Sequence, residues 1–372
     1  MDYLIETKGV YYKYGAKADS HSLKDVSIKI REGVKTVILG ANGAGKSTLF
    51  YHFNGVLTPE SGEVLYRGIP LSYKREHLFQ LREDISVVVQ NPDEQIFSST
   101  VEEDVAFGPM NLNLHPDIVE RRIQDSLFKV GMEEFRYRPT TQLSYGQRKR
   151  VAIAGALAME PKVLILDEPT AGLDPQMSQE IMELVDQLCL TGTTVIISTH
   201  DVDLAYAWAE EIHVLRYGSL IYSGEPEEFF GDRENVALAG LSVPHTFSVN
   251  KSLEAIRGKP ESPYPRTNSQ LLAKLSPDDC VFGKLRIVPI GEGDDPEQVK
   301  DCCVGIYGFR TRRLFRSEGR KVDIYFNAVE GTCLSAMQGM DSVLYCDSEL
   351  VDSVRSRVTD ISRFGHAPEV VM

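Results

Sequence analysis

Three short stretches of this chain carry the residue types that phosphate chemistry needs. The first, Gly40-Ala41-Asn42-Gly43-Ala44-Gly45-Lys46-Ser47-Thr48, fits the phosphate-loop spacing G-x-x-x-x-G-K-[ST]. Glycines at these positions let backbone N–H groups close on phosphate oxygens with no side chain in the way. A helix starting near Lys46 adds the positive end of its dipole. Lys46 would then reach the β- and γ-phosphates, and the Ser47 hydroxyl would ligate Mg²⁺. Gly55 is a stop for that helix.

The second stretch is Val163-Leu164-Ile165-Leu166-Asp167-Glu168, four apolar residues followed by two acids. A strand buried on both faces that delivers carboxylates at its end sets charge beside the phosphates. Asp167 is the candidate Mg²⁺ ligand. Glu168 follows it as the general base for an attacking water. The third stretch ends Ser198-Thr199-His200-Asp201, where His200 could meet the γ-phosphate and steady that water. Taken singly, the last two stretches equally describe a solvated acidic loop and a structural histidine. The phosphate loop upstream is what favours the chemical reading.

These residues need a scaffold that brings strand ends together. Residues 1–230 alternate apolar β-type runs with helical stretches, the pattern of an α/β domain with a mostly parallel core sheet. Thr36–Leu39, Val163–Leu166 and Thr194–Ser198 read as buried strands, and in open α/β sheets ligands collect at carboxyl ends of strands. Residues 242–268 read as a linker, with Pro244, Pro260, Pro263 and Pro265 among polar residues. Beyond it, Lys284–Ile290, Val304–Tyr307, Val322–Phe326 and Val343–Tyr345 read as strands. Leu350–Ile361 reads as a terminal helix and Thr332–Met340 as a short one. The expected layout is a domain over 1–241, a linker over 242–268 and a smaller α/β domain over 269–372.

A length of 372 residues fits two domains, and a formal net charge of −14 argues against a general nucleic-acid binder. No stretch approaches the roughly 18 apolar residues of a spanning helix. The first residues lack the basic and apolar regions of a signal peptide, so a cytosolic chain is expected. Six cysteines, five of them after residue 279, form no disulfide framework. Cys302-Cys303 is an adjacent pair rather than a C-x-x-C site. Buried thiols in a reduced compartment account for them; the alternative is a C-terminal domain that senses a metal or a metabolite. Arg310-Thr311-Arg312-Arg313 reads as a solvated basic run.

Leu143-Ser144-Tyr145-Gly146-Gln147 narrows the class. It fits a helix capping box S-x-x-Q, and it resembles the signature motif of the ATP-binding-cassette (ABC) ATPases, with Tyr145 where glycine is commonest. With the phosphate loop, the resemblance spans about residues 3–230. It implies a P-loop nucleotide-binding domain built from a parallel core sheet, an antiparallel β subdomain and a helical subdomain. It further implies MgATP hydrolysis, with Gly40, Asn42, Gly43, Gly45, Lys46, Ser47 and Thr48 around the phosphates. Gln90 resembles the Q-loop glutamine that senses Mg²⁺ and links the site to a membrane partner. Gly172-Leu173-Asp174 resembles the D-loop, His200 the switch histidine, and Tyr14 the aromatic residue stacked on adenine, with Tyr11 and Tyr12 as rivals. Such domains dimerise head to tail, so Ser144, Gly146 and Gln147 would act on the partner's ATP. A homodimer, or a pair with a paralogous subunit, is implied.

The segment from Gln90 to Pro109 (QNPDEQIFSSTVEEDVAFGP) resembles the ATPase subunits of energy-coupling-factor transporters, above all the cobalt-uptake branch. That implies integral-membrane subunits docked near this segment, a place at the cytoplasmic face of the membrane, and transport of cobalt or nickel. A vitamin-type importer of the same architecture is the alternative within transport. A soluble ABC protein of translation or DNA repair is disfavoured by the single cassette and by the lack of a heptad run between Gln90 and Leu143.

Overall fold

The computed structural model describes residues 3–15, 20–277, 279–296, 299 and 301–371. The chain divides into two compact units, Met1–Val243 and Pro244–Met372.

In the first unit the β-branched and aliphatic runs become the centre of a six-stranded sheet. Its order is Ser219–Gly224, Glu211–Arg216, Thr36–Leu39, Thr194–Thr199, Val163–Asp167, Ile85–Val88. All neighbours run parallel except the Glu211–Arg216/Ser219–Gly224 hairpin. Every residue of the strands Thr36–Leu39, Val163–Asp167 and Thr194–Thr199 is buried, which is why they read as continuous apolar runs rather than alternating ones. The register sets Leu39 beside Thr199 and Asp167 beside Ser198, so three strand ends finish at one level.

A second, antiparallel sheet is built on Ile5–Tyr12, which pairs with Leu23–Val26, Lys29–Ile30 and Ser61–Tyr66. The helices Val101–Asn111, Pro116–Val130 and Tyr145–Leu157 pack on one another as a helical layer. Two of them begin with capping boxes, Thr100 with Glu103 and Ser144 with Gln147. The reciprocal bonds satisfy N–H groups that a helix start leaves open. No helix among the described residues is long and apolar enough to cross a membrane.

The second unit holds a four-stranded parallel sheet in the order Cys303–Tyr307, Ser342–Asp347, Leu285–Ile290, Val370–Val371. Alternate residues feed two cores. Leu285, Ile287, Leu344 and Cys346 meet the helices Ala328–Met337 and Val351–Ile361, while Val304, Ile306, Val343 and Tyr345 meet Phe315. Asp347, at its strand's carboxyl end, is 3% exposed. It accepts bonds from the backbone N–H groups of Arg310 and Thr311 and from the Thr311 hydroxyl, at 3.1, 2.7 and 2.7 Å.

Two sequence expectations are corrected here. The segment 242–268 is not a bare linker, because His245–Arg257 is a helix of the second unit. Phe247 stacks on Tyr264, and Asn250 donates to the Glu261 carbonyl at 2.9 Å. Lys274 donates to Asn250 Oδ1 and to the Pro263 carbonyl. Val322–Phe326 is not a strand either: it makes a single bridge, Ile324 to Gly305, with Asp323 capping the Val304 N–H at 3.0 Å.

The cysteines are free thiols. Burial pushes Cys333 and Cys346 up to about 12, which suppresses the thiolate that metals and oxidants need. Among the described residues no group of three or more His, Cys, Asp or Glu side chains is assembled for a metal ion.

Candidate active site

A cleft of about 770 Å³ opens at the carboxyl ends of the core strands and is lined by Asn42, Gly43, Gly45, Lys46, Ser47, Thr48, Gln90, Asp167 and Glu168. The helix Lys46–Phe53 starts at its floor. Gly45 takes φ 105°, and a Cβ there would lie 2.6 Å from the Ser22 carbonyl oxygen, so the loop can close only with glycine at this place. Gly40, just after its strand, backs onto the Leu215 carbonyl. The helix ends at Phe53, followed by Asn54 and then Gly55 with φ 67°.

Lys46 is 6% exposed. Its Nζ donates to the Gly40 carbonyl at 2.7 Å and lies 3.0 Å from Glu168 Oε1. His200 Nδ1 is 3.0 Å from Glu168 Oε2. Asp167 accepts a short bond from the Ser198 hydroxyl, which in turn accepts from the Glu168 N–H at 3.0 Å. Glu168 has φ 46° and is followed by Pro169. A left-handed backbone in a non-glycine residue stores about 1–3 kcal/mol, typically at sites of function.

Tyr14 is half exposed, edge-on to Tyr12, and its hydroxyl is 3.3 Å from Thr48 Oγ1. Tyr12 packs edge-on against the buried His52, and Tyr11 against His21. Ser144, Gly146, Gln147 and Asp174 are not among the residues lining this cleft. Ser144 and Gln147 close the capping box of the helix Tyr145–Leu157, and Asp174 caps the helix Pro175–Leu190 through the Met177 N–H at 2.8 Å. Gly146 backs onto the thioether end of Met177, which would have to move to admit a side chain there.

Sequence reasoning missed Ser20, His21, Ser22, Lys24, Tyr217 and Gly218, which complete the cleft wall. It also missed Lys149. This lysine is fully buried, and its Nζ donates to the carbonyls of Gln90, Val89 and Glu168 at 2.7, 3.4 and 3.4 Å. A lysine at that position between two arginines looks like helix surface. Its counterpart signal was the i, i+4 spacing to Tyr145.

A phosphate loop and a strand-end acid pair in one cleft, with a strand-end histidine in contact with the second acid and a helical layer in the same unit, define a P-loop ATPase of the ABC class. The ABC transporter family model matches residues 23–171. The energy-coupling factor transporter ATP-binding protein EcfA of Methanocaldococcus jannaschii is 49% identical over 242 residues, 65% of this chain and 86% of that protein. EcfA2 of Methanospirillum hungatei is 39% identical over 373 residues, 96% of this chain and 93% of that protein, so that likeness runs through the second unit. The solved structure of cbiO1 from Clostridium perfringens, described as part of the ABC transporter complex cbiONQ, matches with a TM-score of 0.58 and 43% identity over 69% of this chain and 98% of its own. The chain belongs to the ABC transporter family, among the ATP-binding proteins of energy-coupling factor transporters, which are ATPases.

Proposed function

We propose that this chain hydrolyses MgATP in the cleft around Lys46 and that the hydrolysis drives uptake of a transition-metal cation, cobalt or nickel, across the cell membrane. The observation that carries the catalytic part is the meeting of Lys46, Glu168 and His200 within 3.0 Å contacts, next to Asp167.

In this reading Gly40, Asn42, Gly43, Gly45 and Thr48 cradle the phosphates and Lys46 neutralises the terminal ones. Ser47, Asp167 and Gln90 would hold Mg²⁺; all three present oxygen donors toward the cleft, as a hard cation requires. The ion, when bound, offsets charge on the β- and γ-phosphate oxygens. Glu168 accepts the proton of the attacking water once its Oε1, which lies 3.0 Å from Lys46 Nζ, is released from that ion pair. His200 fixes the other carboxylate oxygen. Tyr14 stacks on adenine, beside Thr48. Ser144, Gly146, Gln147 and Asp174 serve the ATP of a second cassette, either another copy or a paralogous subunit.

The chain would sit at the cytoplasmic face of the membrane, docked to integral-membrane subunits through the segment from Gln90 to Pro109. Phe97 and Phe107 support this docking: they are 66% and 50% exposed and pair edge to face at 4.7 Å. An aromatic pair left in water is characteristic of a binding surface. The first unit, Met1–Val243, is the ATP-binding domain in this reading, and Pro244–Met372 a separate α/β domain. The cobalt assignment rests on the wording of the segment from Gln90 to Pro109 and on the likeness to cbiO1. A vitamin-type importer is the second reading.

The test is reconstitution with the membrane subunits of an energy-coupling-factor transporter. ATP-dependent uptake of cobalt or nickel is expected. Uptake of a vitamin instead would move the assignment to the second reading, and an absence of nucleotide turnover would remove the catalytic one.

A further inference from the structure

Along the helix Tyr145–Leu157, Tyr145 and Lys149 stand four residues apart and so share one face. Both donate to the same acceptor. The Tyr145 hydroxyl reaches the Gln90 carbonyl at 3.4 Å and Lys149 Nζ reaches it at 2.7 Å. Between them, Arg148 pairs with Asp93 at 2.6 Å, so the first turns of the helix hold residues 89–93 by three side chains. Lys149 alone reaches further, to the carbonyl of Glu168.

Glu168 needs such support. Its left-handed backbone precedes Pro169, a position where the allowed conformations are already few. The Ser198 hydroxyl holds its N–H, and its carbonyl accepts from the Ala171 N–H at 3.1 Å and from Lys149 at 3.4 Å, so buried side chains from other elements reach both of its backbone polar groups. The ring of Tyr145 lies on a second loop. A Cβ built on Gly172 would come within 3.1 Å of Tyr145 Cε1, so the ring covers the glycine that starts the turn before Asp174. Glycine at position 145 would lack both the ring and the hydroxyl.

We infer that Tyr145 and Lys149 form a two-donor latch that fixes the Gln90 carbonyl and, through Lys149, the backbone of Glu168, making both of them positioning residues for the ATPase step. The inference rests on the hydrolytic reading of Glu168. Movement of the Gln90 segment is thereby transmitted to the helix that begins at Ser144 and to the peptide that carries the base. Neither Tyr145 nor Lys149 lines the cleft, so the latch acts on turnover rather than on nucleotide affinity.

The test uses the full chain, with kcat and KM for MgATP measured beside equilibrium binding of a fluorescent ATP analogue. Lys149→Met keeps the length of the side chain and removes the donor; its kcat should fall about tenfold or more while the analogue binds within about twofold of the wild type. Tyr145→Phe, which keeps the ring and so the packing on Gly172, should lower kcat about two- to fivefold at unchanged KM. The Tyr145→Phe/Lys149→Met double variant should lose less than the product of the single losses, because both donors serve one carbonyl. Unchanged kcat in Tyr145→Phe, or equal loss of kcat and of analogue binding in both single variants, overturns the latch. Glu168→Gln, run alongside, separates the two readings: if it abolishes turnover while Lys149→Met and Tyr145→Phe do not slow it, the latch falls and the general base stands.

Discussion

Lys46 and Glu168 form an ion pair 3.0 Å long, with side chains 6% and 5% exposed. The lysine that is to bind phosphate and the carboxylate that is to activate water thus neutralise one another across the cleft. In the proposed reaction a triphosphate arriving at Lys46 competes with Glu168, and success would release the carboxylate to act on water.

Glu168→Gln should therefore do two things. Turnover should drop about 10²-fold or more, as expected when a general base is removed. ATP should bind at least as tightly as before, since the competitor of the γ-phosphate has lost its charge. Steady-state hydrolysis and equilibrium binding on the same preparation check both. Unaltered turnover would remove Glu168 from its assigned role.

Lys46→Ala should weaken ATP binding by about tenfold or more, because a buried charge-assisted contact to phosphate is lost. Affinity equal to wild type would place the phosphates elsewhere.

Ser198→Ala takes away the hydroxyl that joins Asp167 to the Glu168 N–H. Both partners are buried, so a loss of about 1–3 kcal/mol in unfolding free energy is expected. A urea titration reads this directly. Turnover should decline as well, with the Glu168 peptide held only from its carbonyl side.

His213 offers a pH test remote from the cleft. It is fully buried on the strand Glu211–Arg216, and its Nδ1 meets the Ser223 hydroxyl at 2.8 Å. Burial, aided by the Arg31 charge, lowers its pKa from 6.5 to about 4. The folded state then binds fewer protons than the unfolded chain between these values, so stability falls as pH drops from about 6.5 to 4. The full effect is at most about 3 kcal/mol. His213→Gln should flatten that part of the stability profile. An identical acid dependence in the variant would assign it to other groups.

Phe97→Asp with Phe107→Asp should abolish co-purification with the membrane subunits, because two charges would be buried without partners in the contact. Retention of the complex would place the docking surface elsewhere.

The meeting of Lys46, Asp167, Glu168 and His200 was legible because the strands that carry them are buried on both faces and end abruptly: Leu39 into Gly40, Leu166 into Asp167, Thr199 into His200. The cleft wall at Ser20–Lys24 and Tyr217–Gly218 was not, since it comes from turns whose only mark is their place in the fold. The helix His245–Arg257 was hidden by its own chemistry. Its buried residues are Phe247, Asn250 and Glu254, so two of three inward positions are polar and no apolar period appears. Lys149 was obscured for the same reason, as a buried cation satisfied by three carbonyls leaves no trace in a hydropathy pattern. Val322–Phe326 has strand-like residues but only one bridge to offer them, and propensity yields to the partner available.

The parallel sheet of the second unit invites comparison with nucleotide-binding folds, whose phosphates rest on the helix that follows a strand tip. Here that seat belongs to the protein itself. The Asp347 carboxylate occupies the N-terminus of the helix Phe309–Ser317, taking the amides of Arg310 and Thr311 in its first turn and the Thr311 hydroxyl. An internal anion has closed the berth where a phosphate would moor.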